Sequence, residues 1–297
     1  MELLGKYKNG NYDVKIYDDG TKIRYNELDN LTPDFPESID MKITNYCEYN
    51  CPMCHEKSSI KGKHALLDKE CFKFLKTLHP YTELAIGGGD PLMFPNLTNF
   101  LCYLSGELKL IPNITIKQES FLEYKEDIDY MIKNKALYGL GISVSHYDEK
   151  FVEKIKDYDN IVLHVIAGYT PFDEIMKFAN KGLKILILGY KQCGRGIDFY
   201  NEEIEKEITK LDYNLSSVLN SFKVVSFDNL ALTQLDVRRF LSNEEWDQFY
   251  MGDDGNHTMY IDLVEKKFAK NSTSQIRYEL LDNVEDIFNV VRNESKN

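Results

Sequence analysis

The sequence predicts a mixed α/β fold: a partial (β/α)6 barrel of parallel strands, open on one side, with an N-terminal β-hairpin extension and an α+β C-terminal elaboration. Three observations predict it. Between about residues 41 and 190, six short β-branched or aliphatic runs alternate with segments of helical periodicity. Each strand-to-strand connection is long enough for a right-handed crossover, which makes the strands parallel. The two segments richest in chemistry, a cysteine cluster and a glycine run, both directly follow strands, at the rim where such barrels build their sites.

Residues 1–40 read as the extension. Residues 11–26 alternate around Asp19-Gly20, with Tyr12, Val14 and Ile16 before the turn and Ile23 and Tyr25 after it, the period-two pattern of a hairpin. Pro33 and Pro36 break the chain before a short strand at 41–44 that ends at the cysteines. Further strands are expected at 83–86, 113–117, 139–145, 161–167 and 184–190, and helices at 68–78, 94–104, 121–135, 148–158 and 172–181. Six units are too few to close an eight-stranded barrel, so the core at 41–191 is expected to be open and curved. Residues 192–297 change pattern: a helix at 202–221, a strand at 223–227, a short helix at 243–249 and a strand at 258–264 read as an elaboration that caps the barrel.

At 297 residues, 43% of them hydrophobic, the chain has ample material for a core, and no disorder is expected outside its last few residues. The formal net charge of -12 repels phosphate polymers and acidic membrane surfaces, which argues against an extended nucleic acid or a membrane as partner. With no long apolar run and no secretory pattern at its start, the protein is expected to be cytoplasmic. In a reducing compartment the six cysteines, three clustered and Cys71, Cys102 and Cys193 scattered, read as a metal site plus bystanders rather than as a disulfide framework.

The clustered cysteines, Cys47, Cys51 and Cys54, have the spacing Cys-x3-Cys-x2-Cys. Closely spaced soft thiolates suit zinc, with His55 as the fourth ligand, or an iron-sulfur cluster. Because His55 adjoins Cys54, the two reach one tetrahedral ion poorly. A cluster held by three thiolates instead leaves one iron open to a substrate or cofactor. A zinc-stabilised binding module stands as the non-enzymatic alternative.

This loop, after the first strand of a partial barrel, resembles that of the radical S-adenosylmethionine (radical SAM) superfamily, over about residues 41–191. The resemblance implies one [4Fe-4S] cluster on Cys47, Cys51 and Cys54, with S-adenosylmethionine on the open iron. It implies reductive cleavage of that cofactor to methionine and a 5′-deoxyadenosyl radical that abstracts hydrogen from a substrate. Where the family usually has an aromatic residue before the third cysteine, this chain has Met53, an apolar side chain that still suits contact with adenine.

Ala85-Ile86-Gly87-Gly88-Gly89-Asp90-Pro91, after the second strand, would alone be an ordinary turn. It is similar to the family's Gly-Gly-Glu-Pro segment, which assigns the methionine amino group to Gly87, Gly88, Gly89 and Asp90, and to the loop carbonyls more than to the shortened Asp90. Ser143 and Ser145 alternate onto one face of the fourth strand; the resemblance places a polar residue there on the ribose or carboxylate, although such serines equally satisfy backbone groups. Val165, Ile166 and Leu188, near the ends of strands five and six, are the implied adenine contacts and otherwise ordinary core residues.

Lys191, Cys193 and Arg195 share a Gly-containing loop after strand six, where two cations suit an anion and a solvated loop fits equally well. No catalytic residue is singled out. With only Cys193 in the C-terminal part, a single cluster is expected. The substrate is expected to be a small molecule or a peptide, and the electron donor a flavodoxin or ferredoxin. An activase that places a glycyl radical on a partner protein, and a nucleotide-modifying or nucleic-acid-modifying enzyme, are the other readings left open.

Overall fold

A computed structural model describes residues 2–27 and 30–294; the last few residues, where disorder is expected, lie outside the described range. The chain opens with a three-stranded antiparallel sheet, β1 (Leu3–Asn9), β2 (Tyr12–Tyr17) and β3 (Lys22–Tyr25). The expected hairpin is β2–β3, and its turn uses Gly20 at φ +87°. The sequence reading missed β1, whose alternation is interrupted where its pairing with β2 shifts between Leu3 and Gly5. Tyr12, Val14 and Ile16 form the buried face of β2.

A ten-stranded sheet follows. The six expected strands are β4 (Ser38–Thr44), β5 (Glu83–Gly88), β6 (Ile111–Lys117), β7 (Gly139–Ser143), β8 (Ile161–Ile166) and β9 (Lys184–Leu188), neighbours in that order and all parallel. The parallel run goes further than six. β10 (Val224–Phe227) pairs with β9, and β11 (Thr258–Asp262) pairs with β4. β12 (Lys267–Ala269) and β13 (Tyr278–Glu279) continue antiparallel from β11. β10 and β11 are not paired with each other, so the sheet stays open. The segment expected only to cap the barrel therefore supplies two of its parallel strands.

Helices cover the outer face: α1 (Lys69–Leu75), α2 (Leu97–Cys102), α3 (Gln118–Glu123), α4 (Lys125–Lys133), α5 (Glu149–Ile155) and α6 (Phe172–Lys177). Asp68 starts α1 by accepting the Cys71 N–H at 2.8 Å, and Asp148 caps α5 in the same way. The helix expected at 121–135 is broken at Tyr124, where φ of -106° and ψ of 23° leave the helical region. No helix among the described residues is long and apolar enough to cross a membrane.

Strand alternation decides what faces the site. Ile39, Met41, Ile43, Leu84, Ile86, Leu163 and Val165 are buried in one core with Phe74, Phe100 and Phe151 of the helices. The residues between them, including Asp40, Lys42, Thr115, Ser143, His164, Ile166 and Leu188, face the concave side, and the register sets Ser143 beside His164 and Ile166 beside Leu188. That concave side is the lumen, and the cysteine loop stands where its strands end.

Candidate functional site

The chain passes from Thr44 straight into the cysteine segment, then doubles back beside it. Asn45 N–H donates to the Lys63 carbonyl at 2.7 Å, Cys47 N–H to Ser59 at 3.1 Å, and Ala65 N–H to Ile43 at 2.8 Å. Within the bow, Cys54 N–H donates to the Cys51 carbonyl at 3.2 Å, and Asn50 adopts a left-handed φ of 44°. The three thiols are partly buried and within electrostatic reach of one another. Burial lifts the Cys47 thiol above its ordinary value, and Asp90, Cys51 and Cys54 push the same way.

Among the described residues no three His, Cys, Asp or Glu side chains converge as one ion would require. A cubane takes each thiolate on a different iron, so three soft, separated thiolates on one loop fit such a cluster. His55 faces elsewhere: its Nε2 lies 3.7 Å from Glu56, and burial, with Lys191, Lys42 and Arg277 nearby, holds its pKa well below the ordinary value.

Glu56 anchors the end of the loop. Lys42 Nζ lies 2.8 Å from Glu56 and 3.0 Å from Asp262, and Tyr260 OH donates to Glu56 at 3.2 Å. This nearly buried network joins the loop to β4 and β11, so the added strand positions the site.

The glycine loop is bonded to the cysteine segment. Gly89 N–H donates to the Thr44 carbonyl at 2.7 Å and Asp90 N–H to Tyr46 at 2.9 Å. A Cβ on Gly89 would stand 2.1 Å from the Tyr46 oxygen, and one on Gly88, at φ +107°, 2.3 Å from the Thr44 oxygen, whereas one on Gly87 would meet open space. Gly88 and Gly89 are thus demanded by close approach, while Gly87 leaves room at the lumen. Asp90 is largely occupied: it is buried and accepts the Leu92 N–H at 3.0 Å as the cap of the turn Pro91–Met93. Burial raises its pKa.

Ser143 reaches the lumen at the end of β7, but the strand stops there rather than at 145, and Ser145 turns to His146 at 3.3 Å. Ile166 and Leu188 are lumen neighbours, whereas Val165 is 1% exposed and points into the sheet–helix core. Adjacent strand residues face opposite sides, so Val165, expected as an adenine contact, is turned away from the lumen. Met53 is partly buried and lies beside Gly196, whose Cβ would come within 3.3 Å of the Met53 carbonyl.

Several rim residues escaped the sequence reading. Asn45 Oδ1 and Gln118 Oε1 are buried without hydrogen-bond partners, as is Nη2 of Arg195, which the sequence did single out. Their signal was position: Asn45 follows β4 and Gln118 follows β6. Tyr49 bonds Ser120 at 2.6 Å and carries the Lys117 ammonium 4.4 Å from its ring centre. In the lumen, burial lowers the His164 pKa to about 4, and a Cβ on Gly141 would stand 2.3 Å from that ring.

The family sequence model described as the Radical SAM superfamily matches residues 41–181. No curated protein matches the chain. Among solved structures, the chain is similar to Streptococcus suis SuiB bound to S-adenosylmethionine, at 13% identity and a TM-score of 0.59, over 86% of this chain and 64% of that one. A second structure of Streptococcus suis SuiB gives 15% identity and a TM-score of 0.54, over 88% and 66%. At these identities the likeness is one of fold, and the chain spans less than two thirds of SuiB.

Proposed function

We propose that the chain, whose residues 41–181 match the Radical SAM superfamily model, is an enzyme of that superfamily, which uses a [4Fe-4S] cluster and S-adenosylmethionine, and that it abstracts hydrogen from a small-molecule or peptide substrate held in the barrel lumen. The observation that carries this reading is the joining of the two rim loops: the Gly89 and Asp90 amides are bonded to the Thr44 and Tyr46 carbonyls, so the three thiolates and the glycine loop form one unit.

When bound, the cluster supplies the electron that cleaves the cofactor's sulfonium to methionine and a 5′-deoxyadenosyl radical. The chain's own work is to hold and orient. Cys47, Cys51 and Cys54 hold the cluster, and backbone at Gly87 to Gly89 receives the amino group while Asp90 fixes the turn beyond. Ser143 offers a hydroxyl to the ribose or carboxylate. Ile166 and Leu188 offer an apolar wall to adenine, with Met53 on the cysteine loop. Below the rim, Asp40, Asn113, Thr115 and a neutral His164 line a polar lumen suited to a small polar molecule or a peptide segment. A flavodoxin or ferredoxin supplies the electron, and the setting is cytoplasmic.

Reconstituted without oxygen, the protein is expected to take up about four irons per chain and, on reduction, to release 5′-deoxyadenosine and methionine in equal amounts. Uptake of one zinc in place of iron would overturn the reading. Gly89→Ala pushes a methyl group into the Tyr46 carbonyl. It is expected to weaken S-adenosylmethionine binding by about tenfold or more, read by equilibrium dialysis.

A further inference from the structure

The segment after β9 folds onto the cysteine loop and leaves little freedom there. Gly194 sits at φ +62°, where a Cβ would lie 2.2 Å from the His55 carbonyl, and a Cβ on Gly196 would lie 2.4 Å from that of Lys191. Buried Tyr190 donates its hydroxyl to the Gly196 carbonyl at 3.0 Å. Between these glycines, Arg195 is pressed against the loop. Its backbone N–H donates to the Cys54 carbonyl at 3.0 Å, its Nε to Cys51 at 2.9 Å, and its Nη1 to Ser58 at 3.0 Å. One residue therefore holds the carbonyls of two of the three cysteines and of the point where the loop turns back.

The remaining nitrogen, Nη2, is buried and has no partner. A buried guanidinium donor left unpaired is costly, and folded proteins retain few of them outside functional sites. We propose that Arg195 is a positioning residue of the cluster site: it locks the Cys51–Ser58 bow in ligating shape and lends its unspent donor and fixed charge to the assembly those thiolates hold. This rests on the cysteines being cluster ligands. A cation beside an anionic cluster and its thiolates favours the state carrying the extra electron, because net charge and hydrogen bonding set the potential. Arg suits both tasks, since its charge is permanent and its planar fork spans two carbonyls, whereas Lys brings only a point charge.

The test compares the parent, Arg195→Gln and Arg195→Lys, each confirmed as folded by far-ultraviolet circular dichroism and reconstituted without oxygen. Iron loss to a chelator and the cluster midpoint, from a titration followed by electron paramagnetic resonance, are the readouts. Arg195→Gln is expected to lose iron about 10- to 100-fold faster and to shift the midpoint to more negative potential. Arg195→Lys is expected to recover the midpoint but not the retention. A folded Arg195→Gln with the parent's midpoint and retention overturns this proposal alone. A parent that takes up no iron overturns it together with the proposed function.

Discussion

Cys51→Ala is expected to lower S-adenosylmethionine cleavage more than about a hundredfold, since disturbing even the outer partners of a metal site costs 10- to 100-fold. On the proposed reading the cluster would have Cys47, Cys51 and Cys54 as its protein ligands, and removing one would leave an iron without its thiolate. The fold should survive, because Cys51 lies in a partly exposed loop and contributes nothing to the buried core. Thermal unfolding of the apoprotein is expected to stay within about 0.5 kcal/mol of the parent. Cys71 supplies the contrast. It is 7% exposed on α1 and packed in the core with Phe74 and Leu75, so Cys71→Ala is expected to cost about 1 kcal/mol of stability and to leave iron content and cleavage unchanged. Retention of four irons by Cys51→Ala would remove Cys51 from the ligand set.

The contrast between those two cysteines marks what the sequence can disclose. Ligand spacing is local, so three thiols within eight residues announce themselves, and the six central strands do so by composition. Neighbours brought together from afar do not. The strand at 258–264 was expected from its pattern, yet nothing local says that β11 pairs with β4 and sends Asp262 to Lys42. Val165 and Ile166 are both apolar, so composition alone could not tell which faces the lumen; burial and register decide for Ile166. Arg195 read equally well as a solvated loop residue, because the carbonyls it holds lie more than a hundred positions earlier. Asp90 kept its place beside the glycines, but capping a turn is a task that a motif does not distinguish from binding.

Glu37→Gln is expected to destabilise the protein by about 3–5 kcal/mol, the usual cost of removing one partner from a buried ion pair, while leaving the cluster loop intact. Glu37 is 1% exposed at the entry to β4, the end of the strand opposite the cysteines. Arg24 of β3 grips both its oxygens, Nε at 2.9 Å and Nη2 at 2.7 Å, Tyr12 OH of β2 donates to it, and His257 Nδ1 lies 3.5 Å away. It is therefore the joint between the N-terminal sheet and the barrel, and the amide would leave the buried Arg24 charge without its counter-ion. Burial alone would raise the Glu37 pKa. Hydrogen bonds from His257 and Arg24, with the charges of Arg24 and Lys22, outweigh burial and hold it well below the carboxylate range. A pKa depressed in the folded state gives stability that is present above the unfolded glutamate value of about 4.3 and lost as pH falls toward the folded value. Urea unfolding should thus show a large parent–variant gap at pH 7 that narrows progressively below about pH 4. A gap that stays constant, or no gap at neutral pH, would mean that the joint is held by packing around Tyr12 rather than by this charge.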